Sequence, residues 1–427
     1  MTISHIPAAI QSRGSALIVG GGIVGLASAY YLAKDGWKVT VLDRDDFTGN
    51  CSYGNAGMIV PSHFTPLAAP GVVTQGIKWL FDSRSPFYMK PSLSRSMISW
   101  GLKFMGHANE KHVTRSAPYI LALNNLSSDL YAGLASDLGN DFGLTRRGIL
   151  MLCKTEKTWE EEIHLAERAT DLGLKVDVLD RKQVQALEPD VELDVFGATH
   201  FLSDAHLYPP ALMAALQKQL RQLGVALVSH AEVTGFVRIG DKIARVTTAD
   251  EEYTADTIVL TGGAWLDQLA NKAGITIPMM AGKGYSFMTS AFEGKLRHPA
   301  LLLEARVAIT PMGGQVRIGG TMELASINHR INRKRVEGIV NAIPQYYAGY
   351  ELPMPDEKSV WHGFRPCSPD GLPYLGRAKS ISNLIIAGGM GMMGLSLGPA
   401  AGKIVSELAH EERTSADIQS FDPERFH

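Results

Sequence analysis

The clearest pattern of apolar and polar positions lies near the N-terminus of the chain. Apolar residues fill positions 16–19, recur at helical spacing over 23–34, and dominate the short run 38–42. Short apolar runs beside turn residues are typical of buried strands, and a spacing of three to four residues is typical of a helix. The pattern therefore predicts a strand–helix–strand unit.

The rest of the chain alternates between predicted strands and helices, with one long interruption. Positions 61–106 are rich in Pro, Gly and Ser with scattered aromatic residues, which indicates an inserted segment. A β-hairpin with a short glycine-containing loop is predicted over 307–318. The other predicted helices are 119–138, 160–172, 209–223 and 395–410, and the other predicted strands are 148–152, 195–202, 225–228, 233–237, 257–260 and 383–387.

This order of elements predicts an α/β protein with two domains. A chain of 427 residues is longer than the roughly 250–300 residues at which one hydrophobic core stops growing. The expected architecture is a discontinuous Rossmann-like nucleotide-binding domain with an inserted antiparallel-sheet α+β substrate domain, and a small-molecule crevice is expected between them. The predicted limits are 14–66, 197–275 and 360–420 for the first domain and 67–196 and 276–359 for the second.

Composition and charge exclude several classes of protein. A net charge of -2 without a basic stripe argues against a nucleic-acid partner. Cys51, Cys153 and Cys367 have neither CxxC nor metal-ligand spacing, so we expect no metal site. Their odd number argues against a disulfide framework and indicates a reducing compartment, which we take to be the cytoplasm. No apolar run approaches the roughly 20 residues that span a bilayer.

A glycine motif joins the first predicted strand to the first predicted helix. It consists of Gly20, Gly21, Gly22, Ile23, Val24 and Gly25. In the pattern G-x-G-x-x-G the first glycine allows a tight turn, the second lets the backbone approach a pyrophosphate, and the third lets the helix pack on the strand. Asp43 ends the next strand and is expected to accept a hydrogen bond from a ribose 2′-hydroxyl. This carboxylate would repel a 2′-phosphate, so NADP is disfavoured, whereas the motif alone leaves both FAD and NAD open.

Two further small-residue turns favour FAD. Gly262 and Gly263 follow the strand predicted at 257–260. A second turn precedes the last helix and comprises Gly389, Gly391, Met392, Met393, Gly394 and Leu395. An extended flavin nucleotide is contacted from end to end, so several such turns are expected. The last helix would direct its N-terminus at the flavin pyrimidine, where negative charge develops on reduction, and a plain helix start is the alternative.

Five segments in order resemble the D-amino acid oxidase (DAO) family of FAD-dependent oxidoreductases, and within it the bacterial D-amino acid dehydrogenases. They are 20–43, 52–57, 283–286, 363–373 and the closing glycine turn. The resemblance implies non-covalently bound FAD. It places Arg44 and Ser52 beside the adenosine and pyrophosphate, Val233 at the adenine, and Asn55, Ala56 and Gly57 beside the isoalloxazine.

Arg365 is the residue on which the substrate prediction depends. A guanidinium matches a carboxylate with two parallel hydrogen bonds, and the resemblance places the carboxylate-binding arginine here. An interdomain salt bridge is the structural alternative. Tyr53 and Tyr285 are the other catalytic candidates, with His362 beside them, although each residue type is more often used in packing. Positions 305–308 lack the tyrosine that many relatives carry on the hairpin strand.

Several other positions have residue types that suggest special roles. Arg317 stands where some oxidase relatives carry an oxygen-activating lysine, which favours a dehydrogenase. Cys367 lies beyond the attachment position of covalent flavins in the sarcosine oxidase branch, so a buried or partly exposed thiol is expected. His206 is interpreted as a core or capping residue rather than a general base. Trp79 and Trp100 lie among basic residues, which indicates either a peripheral membrane contact or a loop packed on the substrate domain.

The resemblance implies oxidative deamination of a D-amino acid, by hydride transfer from the α-carbon to flavin N5. The imino acid product would hydrolyse to a 2-oxo acid. D-proline and hydroxy-D-proline are the preferred substrates, and the expected electron acceptor is a quinone, the respiratory chain or oxygen. The alternatives are a glycine- or sarcosine-type amine oxidase, a hydroxy-acid flavoprotein dehydrogenase, and a non-catalytic flavin-binding partner protein.

Overall fold

The computed structural model describes residues 13–71, 87–89 and 94–427, with residues 87–89 described through their backbone alone. In chain order, its helices are α1 (Ile23–Lys34), α2 (Arg95–His107), α3 (Glu110–Leu138), α4 (Glu156–Asp171), α5 (Arg181–Leu187), α6 (Pro209–Gln222), α7 (Leu266–Lys272), α8 (Arg333–Tyr346) and α9 (Gly394–Ala409). Its strands are β1 (Ser15–Val19), β2 (Lys38–Leu42), β3 (Met58–Ile59), β4 (Phe87–Met89), β5 (Ile149–Cys153), β6 (Val176–Asp180), β7 (Glu192–Leu193), β8 (Gly197–Phe201), β9 (Ala205–His206), β10 (Ala226–Val228), β11 (Gly235–Ile239), β12 (Lys242–Thr247), β13 (Glu252–Tyr253), β14 (Thr257–Leu260), β15 (Met280–Thr289), β16 (Ala300–Leu302), β17 (Val307–Met312), β18 (Gln315–Leu324), β19 (Tyr347–Ala348), β20 (Trp361–Cys367), β21 (Tyr374–Arg377) and β22 (Leu384–Gly388).

One layer of the protein is a six-stranded sheet with strand order β10-β2-β1-β14-β22-β21. All its pairs are parallel except that of β21 with β22. The parallel strands are nearly continuous apolar runs, as expected for strands covered on both faces. Helix α1 follows β1 and packs against α9, which follows β22, and both helices contribute to one apolar core. The predicted strand–helix–strand unit and the Rossmann-like fold are confirmed.

The second layer is a larger mixed sheet with the order β20-β15-β18-β17-β16-β5-β8-β6 and with β4 paired beside β18. Its central strands are antiparallel neighbours, and β16 runs parallel to β5. Helix α8 packs on β18 and shares a separate apolar core with this sheet. The predicted hairpin is present as β17 and β18, which are joined at Gly313 and Gly314.

The predicted domain limits stay a prediction, but two strands at those limits pair in the larger sheet. Strand β8 begins at residue 197 and pairs with β5 and β6, while β20 begins at residue 361 and pairs with β15. Both segments were assigned from sequence to the nucleotide-binding domain. The chain therefore crosses between the two sheets inside those segments.

Some element boundaries differ from the sequence pattern. Helix α3 begins at Glu110 and not at 119, because the Asn109 side chain accepts a hydrogen bond from the amide of His112 and Pro118 is accommodated inside the helix. Strand β11 begins at Gly235, so Val233 precedes it. The pattern does not predict β15, in which Gly282 and Gly284 interrupt the apolar alternation, since glycine is unusual in strand interiors.

Within the described ranges, no helix is both long enough and apolar enough to cross a bilayer. The same part of the chain contains no cluster of three or more His, Cys, Asp or Glu side chains that could hold a metal ion.

Gly25 tests how tightly α1 is packed onto β1. A Cβ atom at this position would lie 1.9 Å from the carbonyl oxygen of Gly20. Gly25→Ala should therefore destabilise the protein by about 1–3 kcal/mol or more, because the helix has to move away from the turn. Chemical denaturation monitored by circular dichroism measures this change.

Gly133→Ala is the matched control, because nothing lies within 4 Å of a Cβ atom at this exposed position of α3. This variant should be more stable than the parent protein by roughly 0.5–1 kcal/mol, as expected for alanine in a helix interior. A Gly25→Ala protein as stable as the parent would contradict the packing described here.

Candidate functional site

A cavity of about 680 Å³ lies between the two sheets. One wall is formed by the carboxyl ends of β1, β2, β14 and β22, and the other by β15, β18 and β20. Ligands of open α/β sheets bind at the carboxyl ends of the strands, and a volume of this size is typical of small-molecule sites. The cavity is therefore the candidate active site.

The glycine turn lies at the start of α1 and faces the cavity. Gly20 has φ +114°, and a Cβ there would lie 2.6 Å from the carbonyl oxygen of Thr261, so the turn requires glycine. A Cβ on Gly22 would meet only the Ser52 hydroxyl, at 3.6 Å, and would otherwise extend into open space. The Ser52 Oγ accepts a hydrogen bond from the amide of Ile23 at 3.0 Å. Since α1 has no acidic residue in its first turn, this end of the helix fits an anionic pyrophosphate.

Asp43 holds the turn in place from the end of β2. Its Oδ2 accepts a hydrogen bond from the amide of Gly21 at 2.6 Å, and its Oδ1 accepts one from the amide of Asp45 at 2.8 Å. The carboxylate also lines the cavity. An ionised carboxylate has about four acceptor positions, so Asp43 keeps capacity to accept a ribose hydroxyl.

Cationic and aromatic side chains surround the end of the cavity beyond Asp43. The Arg44 guanidinium lies over the Trp265 ring, 3.7 Å from its centroid. Lys272 Nζ donates to the carbonyl oxygen of Val233 at 2.8 Å, and both residues line the cavity. This end matches the position expected for an adenosine, whose flat base suits an apolar slot with aromatic neighbours.

The loop at 53–57 borders the other end of the cavity and is held by a buried arginine. Arg317 Nη1 donates to the carbonyl oxygens of Tyr53 and Asn55 at 2.8 and 2.6 Å. Burial lowers the pKa of Arg317 to about 10. Asn55 Oδ1 in turn accepts a hydrogen bond from the amide of Gly57 at 2.9 Å. Arg317 therefore positions the loop and does not itself line the cavity.

Most of the residues predicted to bind a cofactor line this one cavity. They are Gly20, Gly22, Ile23, Val24, Asp43, Arg44, Ser52, Asn55, Ala56, Val233, Gly262, Gly263, Gly391, Met392, Met393, Gly394 and Leu395. Gly25, Gly57 and Gly389 do not line the cavity and lie in close packing contacts, so their contacts with a cofactor stay predictions. A Cβ on Gly57 would lie 2.3 Å from the Leu207 carbonyl oxygen, and one on Gly389 would lie 2.5 Å from the Tyr374 ring.

Arg365 extends from β20 into the cavity. Its guanidinium lies against Gly284, where a Cβ atom would come within 2.1 Å of Nη1, and Nη1 donates to the carbonyl oxygen of Thr321 at 2.8 Å. Burial lowers the pKa of Arg365. In the described part of the chain Arg365 forms no ion pair, so the interdomain salt bridge considered as its alternative role is not seen there.

The carbonyl that holds Arg365 belongs to a strained residue. Thr321 has φ +62°, an uncommon conformation for a β-branched residue. The register between β15 and β18 shifts at this point, since Lys283 pairs with Glu323 whereas Tyr285 pairs with Gly320. A bulge of this kind redirects the backbone groups of a strand. Here it directs a carbonyl oxygen at the guanidinium.

The two tyrosines predicted as catalytic candidates use their hydroxyl groups elsewhere. Tyr285 lines the cavity but is only 1% exposed, and its hydroxyl accepts a hydrogen bond from the amide of Asn332 at 3.2 Å. Burial raises the pKa of Tyr285 to about 12. Tyr53 does not line the cavity, and its hydroxyl accepts from Gln217 Nε2 at 3.1 Å. This arrangement favours packing roles for both.

The histidine candidates differ in their positions. His362 lines the cavity, and its Nε2 lies 3.1 Å from Nδ1 of His329, which also lines the cavity. Burial, His329 and Lys283 lower the pKa of His362. His206 does not line the cavity, is buried, and has a pKa lowered to about 4 by burial. The core interpretation of His206 fits this position.

The structure also shows where Cys367 and Trp100 lie. Cys367 is a buried free thiol, as expected, and burial raises its pKa to about 12. Trp100 is buried and its Nε1 donates to the Cys367 carbonyl oxygen at 2.9 Å, so this tryptophan packs on the larger sheet and does not face a membrane. Trp79 lies outside the described residues.

Sequence reasoning missed three side chains that line the cavity. The Trp361 ring lies between Gly54 and Gly363, at either of which a Cβ atom would come within 2.0 Å of it. His63 and Arg306 also line the cavity, and burial together with the charge of Arg306 lowers the pKa of His63. The glycines that flank Trp361 in space and the segment 305–308, where many relatives carry a tyrosine, offered signals for Trp361 and Arg306, whereas His63 belongs to no motif.

His63 belongs to a hydrogen-bonded network behind the cavity. Its Nδ1 lies 3.0 Å from the Ser62 hydroxyl, which donates to Asp204 Oδ2 at 2.5 Å, and the Ser62 amide donates to Oδ1 at 3.0 Å. Asp204 is fully buried, and burial raises its pKa to about 7. The network fixes the ring of His63 at the cavity wall.

Comparisons with known proteins agree with the geometry of the cavity. A family model described as FAD dependent oxidoreductase (DAO) matches residues 15–408. The D-amino acid dehydrogenase of Helicobacter pylori is 32% identical over 408 residues, which cover 95% of this chain and 97% of that protein. The D-amino acid dehydrogenase of Granulibacter bethesdensis is 29% identical over 413 residues and covers 94% and 97%.

Solved structures show the same fold at lower identity. Glycine oxidase from Geobacillus kaustophilus superposes with a TM-score of 0.77 at 22% identity, covering 97% of this chain and 99% of that one. L-proline dehydrogenase from P. horikoshii superposes with a TM-score of 0.74 at 18% identity, covering 98% of each chain.

Asp204 makes stability depend on pH. Its folded-state pKa of about 7 lies above the unfolded value, so its contribution to stability is greatest below the unfolded pKa and is lost as pH rises through about 7. Asp204→Asn keeps the size and both contacts with Ser62 but removes the charge. Relative to the parent, this variant should gain stability as pH rises from about 4 to about 7, by up to about 1.4 kcal/mol per pH unit, and the difference should stay constant above that range.

Thermal unfolding at several pH values checks this expectation. Asp250→Asn, at an exposed aspartate, is the control and should follow the parent protein. Parallel pH profiles for Asp204→Asn and the parent would show that Asp204 does not titrate as its burial requires.

Proposed function

We propose that this chain, which belongs to the DAO family of FAD-dependent oxidoreductases, catalyses the oxidative deamination of a D-amino acid in the cavity between its two sheets. The observation that carries the proposal is the Arg365 guanidinium, which lines the cavity without an anionic partner in the described part of the chain. A buried cation is unfavourable unless an anion joins it, and the α-carboxylate of an amino acid is such an anion. The identity to D-amino acid dehydrogenases supports the choice of substrate class.

Different residues of the cavity are proposed to bind the cofactor and the substrate. Bound FAD supplies the acceptor for the hydride that leaves the α-carbon. The glycine turn, Ser52 and Asp43 are proposed to hold its pyrophosphate and ribose, with Arg44 and Val233 at the adenosine. Arg365 is proposed to bind the substrate carboxylate, which fixes the orientation of the α-carbon.

Positioning is the main contribution that this chain makes to the reaction. Thr321 holds Arg365 through its carbonyl oxygen, and Gly284 leaves room for the guanidinium. A substrate fixed by two parallel hydrogen bonds reacts with little further ordering, and the apolar walls of the cavity exclude water. The substrate amine is proposed to react in its neutral form. The imino acid product then hydrolyses in water to a 2-oxo acid and ammonia, or persists as a cyclic imine when the substrate is a proline.

The electron acceptor and the location are proposed from other features. Cys51, Cys153 and Cys367 are free, which suits a reducing cytoplasm. Helix α2 exposes Ile98, Leu102 and Met105 by 49, 61 and 54%, and Arg95 and Lys103 lie on the same helix. An apolar face with basic residues suits peripheral contact with the inner membrane surface, where a quinone of the respiratory chain, rather than oxygen, would accept the electrons.

An anaerobic substrate screen tests the proposed function. D- and L-amino acids, glycine, sarcosine and lactate are each added to the FAD-loaded protein, and bleaching of the visible flavin absorbance is followed. D-amino acids, D-proline among them, should bleach the flavin much faster than their L-enantiomers. Oxygen or a soluble quinone added afterwards identifies the acceptor that restores the colour. Bleaching by lactate or glycine alone, or by none of these compounds, would contradict the proposal.

Arg365→Leu tests the carboxylate site. The variant should keep bound FAD, because Arg365 lies on β20 and not in the glycine turn, but kcat/KM for the best D-amino acid should fall by roughly 10²- to 10³-fold. Arg297→Leu is the control, since Arg297 forms a surface ion pair with Asp190 and is 48% exposed. Unchanged turnover by Arg365→Leu would remove Arg365 from the substrate site.

A further inference from the structure

One end of the cavity is lined by residues that the cofactor assignment does not use. Its apolar walls come from Met58 and Val60 on one side and from Leu301 and Ala308 on the larger sheet. Two polar side chains, His63 and Arg306, line the cavity too, and they lie near enough to each other for the charge of Arg306 to add to burial in lowering the pKa of His63. Because FAD is assigned to the other walls, this end is where the side chain of a substrate would lie.

Arg306 is a second cation that lines the cavity. Its backbone has φ +54°, and its amide donates to the Leu303 carbonyl oxygen at 3.3 Å. Its exposed side chain makes no ion pair within the described ranges. Burial raises the pKa of the nearby Glu162 carboxyl group to about 7, against the smaller opposing effects of Thr199 and Arg306, and Glu162 accepts a hydrogen bond from Thr199 Oγ1 at 3.4 Å. A bulky residue kept in the left-handed region beside a cavity is typical of a functional site.

His63 can accept a hydrogen bond at the cavity, whereas the Arg306 guanidinium can only donate hydrogen bonds. Burial and the charge of Arg306 lower the pKa of His63 to about 4, so its ring is neutral near pH 7. When Asp204 is ionised, the Ser62 hydroxyl donates its only proton to Asp204. The Ser62 oxygen must then accept the hydrogen bond from His63, so Nδ1 of His63 carries a proton. Nε2 then keeps its lone pair, and no described residue donates to it.

We propose that Arg306 and His63 form a subsite that binds a hydroxyl group on the substrate side chain. Arg306 donates to the hydroxyl oxygen, and His63 Nε2 accepts the hydroxyl proton. This inference rests on the proposed function and narrows it to hydroxylated D-amino acids, such as a 4-hydroxy-D-proline. A hydroxyl is both donor and acceptor, whereas a carboxylate only accepts and would face the lone pair of His63.

Paired substrates measure the subsite in the holoenzyme near pH 8. The pairs are 4-hydroxy-D-proline with D-proline and D-serine with D-alanine, and D-glutamate represents anionic side chains. In the parent protein kcat/KM should be about tenfold higher for the hydroxylated member of each pair, and D-glutamate should be a poor substrate. Arg306→Gly should remove the difference, and glycine suits φ +54° so that folding is not at risk. His63→Leu should remove it as well, and Arg297→Leu should leave it unchanged.

A binding measurement gives a readout that does not require turnover. Cyclopentanecarboxylate and 3-hydroxycyclopentanecarboxylate carry no amine and cannot be oxidised in this way. Their Kd values are measured from the change in flavin absorbance of the holoenzyme. The hydroxylated analogue should bind about tenfold more tightly to the parent protein, and the two should bind equally to Arg306→Gly and to His63→Leu.

The outcomes separate the subsite from the proposed function. Equal kcat/KM and equal Kd within the pairs, in parent and variants alike, would overturn the subsite while leaving D-amino acid oxidation intact. A preference for D-glutamate that Arg306→Gly abolishes would also overturn it, because the group recognised would be anionic. If no D-amino acid bleaches the flavin, the proposed function fails, and the Kd values of the two analogues still decide the subsite.

Discussion

The contact between α1 and α9 is the constraint on which the site depends. A Cβ atom on Gly402 would lie 2.5 Å from the carbonyl carbon of Ala27, and one on Gly398 would lie 2.7 Å from the Ile23 side chain. The two helices come from opposite ends of the sequence and pack at backbone distance. Helix α1 follows β1 and α9 follows β22, and these strands lie on either side of β14 in the same sheet, so the N-termini of both helices reach one cavity. The positive ends of the two helix dipoles favour an electron-rich, anionic cofactor there.

The larger sheet forms the other wall of the site, and some of its residues there have energetically unfavourable backbone conformations. Thr321 and Arg306 both have positive φ values, and each lies where a strand meets the cavity. Arg365 is desolvated without an ion-pair partner in the described residues. Conformational strain and an unpaired cation each destabilise the folded chain, and a bound carboxylate relieves the second. These features are what the proposed binding of an anionic substrate at Arg365 requires.

A structural feature can be predicted from the sequence when the residues that cause it are close together in the chain. The glycine turn, Asp43 and the first strand–helix–strand unit follow from short-range patterns, and the structure contains them. The same patterns predict Gly57 and Gly389 as ligand contacts, and the structure shows in addition that they pack against the Leu207 carbonyl and the Tyr374 ring. A glycine required for packing between segments cannot be distinguished in sequence from one required by a ligand.

The missed residues have causes that are not local. His63 and Arg306 are more than two hundred residues apart in sequence and line one cavity only because the loop after β3 lies near the turn between β16 and β17 of the larger sheet. Strand β15 escapes the apolar pattern since two of its residues are glycines, one of which makes room for Arg365. Tyrosine is a residue type that can act in catalysis, which makes Tyr53 and Tyr285 candidates. Only the structure reveals that Gln217 and Asn332 donate hydrogen bonds to their hydroxyl groups.

One FAD is expected to lie along the cavity, from the glycine turn of α1 to the N-terminus of α9. The most direct measurement is the amount of FAD that the purified protein releases on denaturation, together with the amount that the stripped protein takes up again. One FAD for each chain, recovered on reconstitution, is the predicted result. A colourless protein that takes up no added FAD would contradict this placement of the cofactor.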